Sequence, residues 1–172
     1  MTNPLYDQLF GRHIGKSNPF LRLADGSVVT YSAFLRLTAQ MAHVLTQGDL
    51  QPGDRLAAQV QKSPEALALY AACVRAGVVF LPLNTAYTSD ELNYFIDDSG
   101  ARMIACDAKV EGALSSIATR AGSCLKTLNA DGSGTMMDSA RAMPESFPTI
   151  ARAPNDLAAL LYTSGTTGRS KG

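Results

Sequence analysis

The last ten residues, Thr163 to Gly172, read TSGTTGRSKG and hold the ingredients of a phosphate cradle. Gly165 and Gly168 let backbone N–H groups approach an oxyanion closely, because they carry no Cβ and adopt positive φ at little cost. Thr163, Ser164, Thr166 and Thr167 add hydroxyls that can donate in many directions. Lys171 supplies a flexible point charge able to follow a departing phosphate. The stretch NDLAALLYT in front of it reads as a strand, and ligands of open α/β sheets collect beyond strand ends. The pattern is not the GxxxxGK[ST] loop, since Ser170 precedes the lysine and Gly172 follows it, and it is not GxGxxG either. A flexible Gly/Ser/Thr linker accounts for the composition equally well. The strand in front and the single lysine at the far end favour the cradle.

Other residues with chemical potential have plainer roles. Asp97 and Asp98 are adjacent, and neighbouring positions on a helix do not face each other, so two solvated carboxylates are expected rather than a metal or acid/base pair. His13 and His43 lie far apart, which removes the usual metal-ligand clusters. His43 falls within an amphipathic helix, where a satisfied or surface histidine is the default. Cys73, Cys106 and Cys124 form an odd set without CxxC spacing, as expected of reduced, buried thiols in a cytoplasmic protein. Cys73 has no basic neighbour in sequence to lower its pKa. Tyr87 and Tyr94 flank a helix start and are expected to pack. Arg75 complements the dipole at a helix end.

The chain of 172 residues is about one domain's worth. A hydrophobic fraction of 46% and a charged fraction of 17% are those of an ordinary globular protein. Fifteen basic and fifteen acidic residues cancel, so nothing points to nucleic acid or an anionic membrane, and any phosphate site must be local. The most apolar stretch, Ala66 to Leu81, is interrupted by Arg75 and Gly77 and is too short to span a bilayer.

The elements alternate. FLRLADGSVVTY predicts a hairpin of Phe20–Leu23 and Val28–Thr30 around Asp25-Gly26. Thr30 caps a helix whose core face carries Phe34, Leu35, Met41, Ala42 and Leu45, ending at Gly48. RLAAQV (Arg55–Val60) is a strand. Ser63-Pro64-Glu65 starts a helix that Gly77 ends. VVFLPL (Val78–Leu83) is a strand, and Thr88-Ser89-Asp90-Glu91 fits a capping box. RMIACD is a strand, Val110–Arg120 a helix and CLKTLN a strand. Strand–helix alternation with nearly all-apolar strands predicts an α/β fold: a largely parallel sheet with helices on both faces. Residues 131–155, with Pro144, Pro148 and Pro154, read as a surface connection with one short helix near Met136–Ala142.

LLYTSGTTGRSKG resembles the phosphate-binding signature of the adenylate-forming (AMP-binding) superfamily, which includes acyl-CoA synthetases, luciferases and peptide-synthetase adenylation domains. RAGVVFLPLNTAYTSDEL (Arg75–Leu92) resembles a second signature, and the chain from Val29 to Asp107 is similar to the superfamily's N-terminal region throughout. Ser170 stands where the commonest version has proline, which leaves one φ unfixed but removes no phosphate ligand. GRSKG and PLNTAYT are most similar to malonyl-CoA synthetases. The resemblance implies a reaction in which a carboxylate attacks the α-phosphorus of Mg2+-ATP to give an acyl-adenylate and pyrophosphate, after which coenzyme A displaces AMP. It implies that Thr163, Ser164, Gly165, Thr166, Thr167, Gly168 and Lys171 hold the β- and γ-phosphates. It further implies that 1–172 is the first part of the large N-terminal domain, truncated at the phosphate loop and inactive alone. The carboxylate pocket and magnesium ligand of this superfamily lie downstream. Three other readings stand beside it: a synthetase for another carboxylate, short fatty or aromatic; a weak anion-binding module; and an assembly element that self-associates through exposed sheet edges.

Overall fold

The computed structural model describes residues 2–163. The chain opens with α1 (Pro4–Leu9), which the sequence patterns did not signal. Then come β1 (Pro19–Arg22), β2 (Val28–Thr30), α2 (Tyr31–Gln47), β3 (Arg55–Gln59), α3 (Pro64–Ala76), β4 (Val79–Pro82) and α4 (Ser89–Ser99). They are followed by β5 (Met103–Cys106), α5 (Glu111–Ala121), β6 (Cys124–Thr127) and α6 (Thr135–Arg141). β1 and β2 form the expected antiparallel hairpin, with Asp25 accepting bonds from the Ser27 N–H and hydroxyl at its turn. The remaining strands form a parallel sheet of order β4-β3-β5-β6.

Local chemistry sets the helix ends. The side chains of Thr30, Ser63 and Thr88 each accept a bond from a backbone N–H in the first turn of α2, α3 and α4. At α4 the expected capping box is complete, because the Glu91 carboxylate accepts the Thr88 N–H at 2.8 Å. α3 ends at Gly77, whose φ of 73° belongs to the left-handed region. Gly48 ends α2 for a different reason. Its φ is −80°, so no left-handed conformation is needed; a Cβ there would lie 2.5 Å from Cε of Met103, and the tip of that flexible side chain would have to move aside.

Alternation along the strands splits the core in two. Leu56, Ala58, Met103 and Ala105 face α1, α2, α3 and α6, in a cluster with Phe34, Met41, Leu45 and Leu69. Ala57, Leu81, Ile104 and Cys106 face α4 and α5, in a cluster with Phe95, Ile96, Leu114 and Ile117. Both faces are therefore covered, as a parallel sheet requires.

The segment after β6 is more integrated than a surface connection. Met136, Met137, Ala140 and Phe147 are buried in the larger cluster. Its proline-rich stretch cannot form a ladder of its own, and side chains from the helices satisfy its carbonyls instead. Gln40 donates to the Met143 carbonyl, His43 bonds the Ser146 carbonyl, and Arg75 donates to that of Phe147. His43 is thus a satisfied histidine, and its ring also meets that of Phe147 edge-on.

α6 is fastened to β6 by reciprocal threonines, Thr127 and Thr135, each backbone N–H donating 2.9 Å to the other's hydroxyl. Between them, Gly134 has a φ of 117°, and a Cβ on it would lie 2.5 Å from the Thr127 carbonyl oxygen. We expect Gly134→Ala to destabilise the protein by about 2 kcal/mol, combining backbone strain with overpacking. Urea unfolding followed by circular dichroism checks this; an unchanged midpoint would show that the β6–α6 junction tolerates the methyl group.

Candidate functional site: the approach to the phosphate loop

All four strands of the sheet run in one direction, so the turns after β3, β4 and β5 gather at the carboxyl edge. The expected strand in NDLAALLYT takes the form of isolated bridging rather than a ladder: Ala159 bridges Phe80 in parallel, and Thr163 is also in a bridge. Phe80 donates to the Ala158 carbonyl and accepts from the Leu160 N–H, both at 3.0 Å. These bonds lay residues 158–160 beside β4, pointing the same way, so the chain leaves toward the carboxyl edge. Thr163 lies there, exposed. Ser164, Gly165, Thr166, Thr167, Gly168 and Lys171 lie outside the described residues.

Leu160 and Tyr162 pack on the α4–α5 side of the sheet, whereas Leu157 and Leu161 are exposed. The Tyr162 ring sits 4.5 Å from that of Phe95 and 6.2 Å from that of Tyr94. Its hydroxyl donates to Asp98 Oδ2 at 2.5 Å. Burial, and then the carboxylate, raise the Tyr162 pKa, so the phenol stays protonated through the neutral range. Asp97 pairs with Arg120 at 3.7 Å between two exposed side chains. The adjacent carboxylates therefore go to different partners, and no acid/base pair forms.

Two positioning residues escaped the sequence patterns. Gln59 ends β3 and is only 3% exposed, a buried amide in an otherwise apolar strand. Its Nε2 donates to the carbonyls of Asn84 (3.0 Å) and Tyr87 (3.4 Å), pinning the turn after β4. Its Oε1 is buried without a partner among the described residues, beside a cavity of about 100 Å³ lined by Gln61, Thr85, Asp107 and Lys109. A polar residue at the inner end of RLAAQV, after Leu56, Ala57 and Ala58, was the available signal. The second residue, Arg55, donates to the carbonyls of Ser99 and Gly100, capping the C-terminus of α4. Nothing in the sequence links these positions.

Among the described residues, no group of three or more His, Cys, Asp or Glu converges to hold a metal ion, and no helix is long and apolar enough to cross a membrane.

Residues 15–172 match the sequence profile of the AMP-binding enzymes. The chain belongs to that family. Among solved structures, MatB from Rhodopseudomonas palustris, apo and with ATP bound, superposes with a TM-score of 0.95 at 45% identity. The match covers 100% of this chain and 34% of MatB. Feruloyl-CoA synthase from an Amycolatopsis species is 33% identical over 147 residues, 86% of this chain and 28% of that enzyme. The long-chain-fatty-acid–CoA ligase FadD13 of Mycobacterium tuberculosis is 31% identical over 147 residues, 84% of this chain and 29% of the ligase. The chain thus spans about a third or less of the length of these relatives. Its fold is the one the family resemblance implied.

The cysteines of this AMP-binding chain are free thiols without a catalytic environment. Cys73 and Cys106 are fully buried, and burial raises both pKa values, that of Cys106 from 9.0 to about 12. We expect a thiol reagent at pH 8 to modify neither residue in the native protein and both in urea. The folded state keeps the Cys106 proton where the unfolded chain has lost it. That stabilisation is complete below pH 9.0 and fades as pH rises toward about 12. Peptide mapping and pH-dependent unfolding read the two effects; fast native labelling of Cys106 would contradict both.

Proposed function

We propose that this chain is the N-terminal, phosphate-gripping part of an ATP-dependent acid–thiol ligase. The carrying observation is the TSGTTGRSKG stretch, entered from the carboxyl edge of a parallel sheet in a chain whose residues 15–172 match the AMP-binding family. In the reaction, a substrate carboxylate oxygen attacks the α-phosphorus of ATP, the bond to the β-phosphate breaks, and pyrophosphate leaves. The thiol of coenzyme A then attacks the acyl carbon of the adenylate, losing its proton as AMP departs. Such transfers need positioning and charge neutralisation more than covalent assistance.

The residues assigned to the β- and γ-phosphates are the hydroxyls of Thr163, Ser164, Thr166 and Thr167, the N–H groups of Gly165 and Gly168, and Lys171. The chain is neutral overall, so this local set supplies the attraction that bulk charge does not. Magnesium would arrive with the nucleotide phosphates; the described residues offer no converging ligand set for it, and none is assigned here. Three free thiols fit a reducing, cytoplasmic setting.

Malonate is the acid we assign, on the resemblance of GRSKG and PLNTAYT to malonyl-CoA synthetases. The alternative is another carboxylate, a short fatty or aromatic acid; the name of the feruloyl relative favours an aromatic one, while that of the long-chain ligase points to a longer acid. Identity to these enzymes is 33% and 31%, against 45% to MatB, and this leaves the alternative second. Mass-resolved acyl-CoA formation by the full-length protein against malonate, ferulate, and short- and long-chain fatty acids tests the choice. Malonyl-CoA as the main product is expected; feruloyl-CoA or a long-chain acyl-CoA would reassign the substrate.

Lys171→Ala is expected to slow pyrophosphate release on the order of 100-fold, because the lysine's charge matters most as negative charge builds on the leaving group. Release at the parental rate would remove Lys171 from this role.

A further inference from the structure

We infer that Tyr162 and Asp98 form a latch that positions the phosphate loop, so that ATP binding depends on a helix carrying no phosphate contact. The inference rests on the reading of Thr163–Lys171 as the phosphate site. Tyr162 is the residue immediately before that stretch, and the chain reaches it with little else to guide it. Residues 158–160 are held to β4 by two backbone hydrogen bonds, and Leu161 is 62% exposed. Between Leu160 and the bridge at Thr163, the Tyr162 side chain ties the chain to α4.

It grips α4 at two points. The ring lies against Phe95, tilted by 44°, and the hydroxyl reaches Asp98, three residues further along the same face of the helix. A ring contact alone would leave the side chain free to slide. A hydrogen bond alone would leave it free to swing. Together they fix both the position and the rotation of the residue from which the loop departs. Asp98 forms no ion pair among the described residues, so its carboxylate is available to a neutral donor.

The helix that bears the latch is itself held firmly. The capping box of Thr88 and Glu91 fixes its first turn, Arg55 holds its last carbonyls, and Leu92, Phe95 and Ile96 are buried beneath it. Tyr87 also packs on Phe95, at 4.9 Å, and its carbonyl is one of the two pinned by Gln59. The turn after β4 and the root of the phosphate loop are thus registered against one phenylalanine. The two signature stretches of the sequence, distant in the chain, share a mechanical reference point.

The test uses steady-state pyrophosphate release by the full-length enzyme. Tyr162→Phe keeps the ring and removes only the donor. It is expected to raise KM for ATP about three- to tenfold while KM for the carboxylate and the melting temperature stay at parental values. Asp98→Ala should match it, Asp98→Asn should restore parental behaviour because the amide oxygen still accepts, and the double variant should be no weaker than either single one. A parental KM for ATP in Tyr162→Phe would overturn the latch. Equal rises in both KM values with a lowered melting temperature would overturn it too, by exposing a merely structural role. Lys171→Ala measured alongside separates the two claims. A defective Lys171→Ala beside a parental Tyr162→Phe sinks the latch alone, and a parental Lys171→Ala sinks the reading of the loop.

Discussion

A parallel sheet has no wet face, and nearly everything in this chain follows from that requirement. Strands β3 and β5 carry apolar side chains on both sides, and each set needs its own layer of helices. Because the strands are parallel, every connection must cross back over the sheet through one of those helices. The crossings deliver the turns after β3, β4 and β5 to a single edge, and the approach to TSGTTGRSKG runs to that edge beside β4. Burial thus sets the address of the site before any functional residue is chosen.

Specificity of position then comes from a few polar side chains placed where the sheet's own hydrogen bonds run out. Gln59 does this at the tip of β3, Arg55 at the end of α4, and Tyr162 at the departure of the phosphate loop. Each reaches a group that the regular ladders leave unsatisfied or unfixed, either a carbonyl past a strand end, a helix C-terminus or a free carboxylate. The aromatic contacts of Phe95 with Tyr87 and Tyr162 join two of these points through the hydrophobic layer beneath.

Much of this was legible in the sequence wherever the determinant is local. Asp25-Gly26, Ser63-Pro64, the Thr88–Glu91 box and Gly77 each announce a turn or helix end from adjacent letters, and the structure has all of them. The all-apolar strands announced a doubly covered sheet. What stayed hidden was non-local. Nothing near Arg55 says that it will meet Gly100, and nothing near Asp98 says that it will meet Tyr162. The last strand was overestimated because LAALLY is apolar enough for a central strand, yet among the described residues it makes isolated bridges and no ladder, with Leu157 and Leu161 exposed. Residues 131–155 read as a connection because proline breaks periodicity, while Met136, Met137 and Phe147 were core residues in irregular spacing. For Thr163–Lys171, composition suggested phosphate chemistry and the family signature carries the proposed role, since spacing alone fits a linker as well.

The side chain of Asn3 has a bearing on how this protein is made. Its Nδ2 donates to the carbonyl of Val74 at 2.8 Å and to that of Ile150 at 3.1 Å, and the Thr2 carbonyl accepts the Arg152 N–H. Asn3 and its second partner stand 147 positions apart in the chain. That contact can close only once the residues of both layers lying between them have been made. Contacts of such separation are the non-local kind, which a chain makes only by closing a long loop.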